Sequence, residues 1–233
     1  MERTGLSGAF VGMQARFVDW LIQRSLRGHF RAVYARGAPP DARKPLILFA
    51  NHHYWWDGYL GYWLIRSWGR RPVVWMEAYR RFPPFGALGA LPFPPDDKAR
   101  RARTVRRTLQ ALQSPETALL LFPEGVLHGD TETLLPFQRS LHWLAQQASH
   151  ALLLPLAIHI EPSYHQYPRA YLSVGEPFTC ALEEAVWLQS AAQTLRAQLH
   201  ALQADARLAP SEAETLERGY QLLLRGRPSI HER

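Results

Sequence analysis

A chain of 233 residues in which 47% are hydrophobic can bury one full core, which excludes a disordered or low-complexity polypeptide. Its formal net charge of +7, carried almost wholly by arginine, points to anionic partners such as phospholipid headgroups, anionic coenzymes or nucleic acid. A single cysteine, Cys180, excludes an internal disulfide and fits a reducing compartment. The first 30 residues lack the apolar stretch of a signal peptide, and no apolar run nears the roughly 18 residues that span a bilayer.

Residues 6–35 carry Phe10, Met13, Phe17 and Leu21 at helical spacing, widened by Val18 and Ile22 and interleaved with Arg16, Arg24, Arg27 and Arg31. This pattern predicts an amphipathic helix with a basic side. Burying five or six such side chains is worth at most about 10 kcal/mol, enough either to hold a lipid surface or to pack on a core. Residues 1–40 are therefore read as an amphipathic helical segment ending in a turn at Gly37 to Pro40, and residues 41–233 as one α/β domain without repeats.

Leu46 to Phe49 is an uninterrupted apolar run, the pattern of a strand buried on both faces in a parallel sheet. It stops at a polar cluster, Asn51, His52, His53 and Asp57. In such sheets, sites lie beyond the carboxyl ends of the strands. Within one regular helix His52 and Asp57 would point about 140° apart. They meet if His52 sits in the loop leaving the strand and Asp57 in the first turn of the following helix, GYLGYWLIRSW. The carboxylate then accepts a hydrogen bond from one ring nitrogen, fixes the tautomer and leaves the other nitrogen free to take a proton from a hydroxyl. The same pair could instead cap the helix and satisfy backbone donors.

That helix is dense in Tyr59, Tyr62, Trp63 and Trp68, residues expected in the core, along an apolar channel or at a membrane interface; a short strand, PVVWM, follows. Residues 81–95 hold five prolines, which argues against regular structure and for a lid or membrane-facing flap. Asp96 is expected to cap a helix with a buried stripe of Ala102, Val105, Leu109 and Leu112 and a basic face, KARRARTVRR. That basic run lacks the adjacent aromatics of a nucleic-acid arm, so nucleic acid is not an expected partner. Leu119 to Phe122 is a second buried strand, ending in Pro123, Glu124 and Gly125, with His128 and Asp130 beyond. A helix near Gln138 to Ala148, strands LLLPLAIHI and AYLSV, a long helix from about Ala181 and a helix over 211–225 opened by the capping box Ser211 to Glu214 complete the chain. His142, His150 and His159 are read as structural or exposed. The fold class is α/β, a single mixed, largely parallel sheet flanked by helices.

The two polar islands together resemble the glycerophospholipid and lysophospholipid acyltransferase family, of the 1-acylglycerol-3-phosphate acyltransferase type. Its first motif, N-H-x-x-x-x-D, stands here as Asn51 to Asp57, and its third, F-P-E-G, as Phe122 to Gly125. Leu153 to Ile158, with Pro155, and Val174 to Pro177 resemble the family's fourth motif and the strand end after it. The resemblance implies a glycerol-3-phosphate acyltransferase-like fold, with His52 as general base and Asp57 as its partner. Asn51, Phe122, Pro123, Glu124 and Gly125 would bind substrate, Glu124 and Gly125 in the acceptor pocket. The implied reaction moves an acyl group from acyl-CoA or an acyl carrier protein to a lipid hydroxyl, without cofactor, metal or covalent intermediate. The implied setting is the cytoplasmic face of a membrane, approached peripherally.

Two family arginines are missing. The second motif, G-x-x-x-x-x-R, falls on Gly89 to Pro95, and the third runs on to Val126 and Leu127 in place of threonine and arginine. In the family these arginines hold the acceptor's phosphate through paired charge-assisted hydrogen bonds. Lys98, Arg100, Arg101 or His128 would have to substitute, or the acceptor is a lipid without phosphate. Two rival readings remain: a metal-dependent hydrolase using His52, His53, Asp57 and a distant His128 or His159, and a non-enzymatic basic lipid-surface or nucleic-acid binding module.

Overall fold

The strand Leu46–Ala50 (β2) is wholly buried because it runs through the middle of an eight-stranded sheet. The computed structural model describes residues 4–37, 41, 43–163, 165–180, 183–228 and 230. The side chains of residues 4–12, Phe10 among them, lie outside that set, as do residues 38–40 of the expected turn and Ala181 at an expected helix start. In chain order the elements are α1 Thr4–His29, β1 Ala32–Arg36, β2, α2 Asp57–Ser67, β3 Arg71–Met76, β4 Ala90–Pro92, α3 Lys98–Ala111 and β5 Thr117–Leu121. They continue with α4 Ser140–Gln147, β6 Leu152–Glu161, β7 Arg169–Val174, α5 Glu184–Leu208, α6 Glu212–Glu217 and β8 Gln221–Arg225. The strand order is β4-β3-β5-β2-β6-β7-β1-β8.

Five of the seven pairings are parallel, so the sheet is mixed and largely parallel. Helices α2, α3 and α4 supply the crossovers that parallel neighbours require, whereas the short link after β6 lets β7 return antiparallel. Each face carries a core. Leu141, Leu144, Leu195, Leu199 and Leu202 of α4 and α5 cover one, and Val18, Ile22, Leu26, Leu60, Leu64 and Ile65 of α1 and α2 cover the other.

The structure corrects four local expectations. The N-terminal helix stops at His29, and Ala32–Arg36 enters the sheet between β7 and β8. The helix expected over 211–225 keeps its Ser211–Glu214 capping box but ends after Glu217; Gly219 takes φ +82°, and Gln221–Arg225 is a strand. Residues 81–95 are not irregular throughout: two 3₁₀ turns, Glu77–Arg81 and Pro83–Leu88, lead into β4, which extends the sheet beside β3. Helix α3 is capped by Asp97, whose side chain accepts from the Arg100 N–H, and its buried face is Thr104, Thr108 and Leu112, with Ala102 exposed. Those threonines are tolerated inside because each hydroxyl is paired. Thr104 Oγ1 donates to the Pro92 carbonyl, and Thr108 Oγ1 donates to the Thr104 carbonyl while accepting from Trp75 Nε1 at 2.9 Å.

The two stripes of α1 face opposite ways. Val18, Ile22, Leu26 and the following Phe30 are buried, whereas Met13, Phe17, Trp20 and Leu21 are exposed, Met13 and Phe17 by 63% and 58%. Among the described residues, no helix is long and apolar enough to cross a membrane.

Candidate active site

The carboxyl ends of β2 and β5 lie side by side, with Leu48 paired to Leu120 and Phe49 to Leu121, so the segments leaving them converge. His52 lies in the first loop and Asp57 opens α2. His52 Nδ1 lies 3.2 Å from Asp57 Oδ2. The same oxygen accepts the backbone N–H groups of His53 and Tyr54 at 2.8 and 2.9 Å. The Asp57 carboxylate thus holds the ring and satisfies two backbone donors of the loop, without capping α2 itself.

Asp57 is fully buried, and Oδ1 has no hydrogen-bond partner among the described residues. Burial pushes its carboxyl above the usual range, against the pull of the His52 hydrogen bond and the two backbone donors. The carboxylate as acceptor places the proton of neutral His52 on Nδ1 and leaves Nε2 as the basic nitrogen. The ring stacks on Phe122, centroids 4.1 Å apart and planes 18° from parallel, which fixes its tilt. Its side chain remains 23% exposed, toward a cleft of about 920 Å³.

That cleft opens between α2, the two 3₁₀ turns and the loop after β5; Tyr59, Trp75, Phe85, Leu88 and Phe93 supply much of its wall. Of the residues expected at the site, His52, Arg100, Phe122 and Gly125 line it. Asn51, Pro123, Glu124, His128, Lys98 and Arg101 do not, and for most of them the reason is visible. Asn51 accepts from the Ile158 N–H at 2.8 Å and donates to its carbonyl at 2.9 Å, repeating the ladder one step beyond the end of β2. Arg101 lies over the Phe93 ring at 6.0 Å, and Lys98 is exposed on α3.

Glu124 is the largest departure from a substrate-facing role. Its carboxylate is buried, with Oε1 accepting from the His52 backbone N–H at 2.8 Å and Oε2 accepting from the Leu135 N–H and His128 Nε2, each at 2.8 Å. It fastens the loop after β5 to the loop after β2, so it fixes the backbone of His52 as Asp57 fixes its ring. Gly125, at φ +78°, supplies the left-handed turn that sends Glu124 inward.

His53 packs against His128, ring centroids 4.9 Å apart, and donates from Nε2 to the Thr133 carbonyl at 3.1 Å. Burial pushes its ring below the ordinary histidine range, so it is neutral near pH 7. Among the described residues, the group with metal-ligand spacing is His53, Glu124 and His128, with ligand atoms within 4.8 Å of one another. It includes neither His52 nor Asp57, and every member already has a hydrogen-bond partner; His159 pairs instead with Glu161 at 2.6 Å. Trp55, Arg80 and Arg81 line the cleft without having been singled out in the sequence, because the turns that place them carry no hydrophobic period.

No curated protein sequence matches the chain. The fold is similar to that of a solved 1-acyl-sn-glycerophosphate (LPA) acyltransferase, PlsC, from Thermotoga maritima, at TM-score 0.61 and 20% identity over 85% of this chain and 89% of that one. A pilus retraction motor, PilT, superposes at TM-score 0.35 and 10% identity over 85% of this chain and 67% of the other, too loosely to bear on the fold. The acyltransferase family model matches residues 31–163, a span that runs from β1 through β6 and includes the His52–Asp57 pair and the Glu124 turn. The chain belongs to the acyltransferase family.

Proposed function

We propose that this acyltransferase moves a fatty acyl group from acyl-CoA or an acyl carrier protein to a hydroxyl of a lysophospholipid-like acceptor, working peripherally on the cytoplasmic face of a membrane. The observation that carries the reading is the His52–Asp57 pair, with His52 at the wall of a largely apolar cleft. His52 Nε2 takes the acceptor's hydroxyl proton as the oxygen attacks the thioester carbonyl, and Asp57 stabilises the imidazolium that forms. The intermediate then collapses, the C–S bond breaks, and the imidazolium returns its proton to the departing thiolate. A cleft of about 920 Å³ is in the range that encloses a drug-sized or larger ligand and suits an acyl chain. No metal, cofactor or covalent enzyme intermediate enters this scheme.

The shared fold makes 1-acyl-sn-glycerophosphate, the acceptor of the Thermotoga enzyme, the first to test. The lost arginines at Pro95 and Leu127 make a phosphate-free lipid the second. Thiol release should be followed with palmitoyl-CoA and with palmitoyl carrier protein, against phosphate-bearing and phosphate-free lyso-lipids. Turnover that requires an acceptor supports the reading. Absence of turnover with both donors and every acceptor overturns it in favour of a lipid-binding module.

Membrane attachment is assigned to the outer stripe of α1. Phe17→Glu with Trp20→Glu replaces two exposed aromatics outside the core. Losing two insertions of about 1.5–3 kcal/mol each should weaken binding to anionic vesicles at least tenfold and leave transfer to a detergent-dispersed acceptor within twofold. Unchanged sedimentation with vesicles would show that another face meets the lipid.

A further inference from the structure

The mouth of the cleft carries a feature independent of the catalytic pair. Three guanidinium groups line it from two separate segments: Arg80 and Arg81 at the end of the first 3₁₀ turn, and Arg100 in the first turn of α3. Arg80 and Arg81 are exposed, with no carboxylate partner among the described residues. Arg100 is half-buried, and its nearest carboxylate, Asp97, stands at 3.9 Å, the outer limit of an ion pair. Arg70 and Arg71, at the opposite end of β3, are committed elsewhere: Arg70 to the carbonyls of Asp41, Lys44 and Pro115, and Arg71 to Glu116 and Ser114.

The same mouth holds Glu77 and Asp96, so three guanidiniums face two carboxylates. Bulk charge at the rim is therefore modest, and what the arginines offer is their geometry: planar forks of N–H donors matched to the oxygens of a phosphate ester. Pro95 and Leu127 line the cleft too and add no donor. An apolar cavity rimmed by uncommitted guanidiniums suits an amphiphile whose tail enters and whose anionic head stays at the entrance.

Building on the acyl-transfer reading, we infer that Arg80, Arg81 and Arg100 form a phosphate-recognition rim, so the reaction uses at least one phosphate-bearing substrate held at this mouth. That phosphate belongs either to the acceptor's headgroup or to the nucleotide part of a CoA donor. Both present the same chemistry to the rim, and substrates lacking each phosphate in turn separate them.

The test compares wild type with the R80Q/R81Q/R100Q variant in four combinations: palmitoyl-CoA or palmitoyl-N-acetylcysteamine as donor, each with 1-acylglycerol phosphate or monoacylglycerol as acceptor. Loss of charge-assisted hydrogen bonds should raise KM for the phosphate-bearing partner about 10- to 100-fold and leave kcat within threefold. The combination without any phosphate should be unchanged. A KM change that follows the acceptor identifies a headgroup site, and one that follows the donor identifies a nucleotide site; either supports the rim. Equal KM values in all combinations, the same loss with the phosphate-free pair, or a wild-type preference for that pair would overturn it. Absence of wild-type turnover in every combination, and with palmitoyl carrier protein as donor as well, would instead overturn the acyl-transfer reading on which it rests.

Discussion

Replacing His52 by alanine is expected to lower thiol release from palmitoyl-CoA by about 10²- to 10⁴-fold, the range associated with loss of a positioned general base. The ring is part-exposed and stacked on Phe122, and removing it leaves the Asp57 carboxylate with the two backbone donors of His53 and Tyr54. The fold should therefore survive. Asp57 would move further above its ordinary range, since its strongest opposing hydrogen bond is the one from His52. KM for the donor should stay within a few-fold, because Tyr59, Trp75, Phe85, Leu88 and Phe93 supply much of the cleft wall and the substitution leaves them in place. Steady-state rates beside a thermal melt decide the matter: near-wild-type turnover by a folded variant removes His52 from the mechanism.

The second large effect is expected at Glu124, for a different reason. Glu124→Ala leaves the backbone N–H groups of His52 and Leu135 and the ring of His128 without their acceptor, in a place from which water is largely excluded. At about 1–3 kcal/mol for each stranded group, the variant should lose about 3 kcal/mol or more. For a chain of this size that is a fall of about 6–12 °C in Tm. Activity should fall as well, by about 10²-fold, because His52 is no longer held at its backbone. Glu124→Gln keeps one acceptor oxygen and should lie between the two. Loss of activity with an unchanged melting temperature would instead place Glu124 on the substrate, the acceptor-pocket role implied by the family motif.

Much of this was legible in the sequence because strand ends announce themselves. Leu46 to Phe49 and Leu119 to Phe122 are apolar runs that no surface element would carry, and the polar residues after them had to face a site or a backbone. The spacing of His52 and Asp57 allowed them to meet with one in a loop and the other at a helix start, which is where they stand. What the string could not give was the direction of each polar side chain. Asn51 and Glu124 read as substrate contacts, yet both turn inward and complete hydrogen bonds that the strand ends leave open.

The misread elements share a cause in which tertiary pairing overrides local pattern. Ala32 to Arg36 continues a helical spacing and gains its extended form from strands on both sides. Gln221 to Arg225 follows a genuine helix signal, and Gly219 marks the break. On α3, Thr104 and Thr108 look like surface residues until their hydroxyls find partners in β4 and β3. Arg80 and Arg81 escaped notice because they lie where the chain has no period to break.

The position of β1 bears on how such a chain can be made. Residues 32–36 leave the ribosome well before their neighbours in the sheet, residues 169–173 and 221–225. Until then the strand has two bare edges beside a helix whose Val18, Ile22 and Leu26 await their cover. Pairings so distant in sequence are slow to form, and unpaired edges invite other chains. Synthesis that stalls before β8 should therefore yield a sticky fragment and not a smaller working enzyme, and chaperone demand should persist until β7 and β8 have emerged.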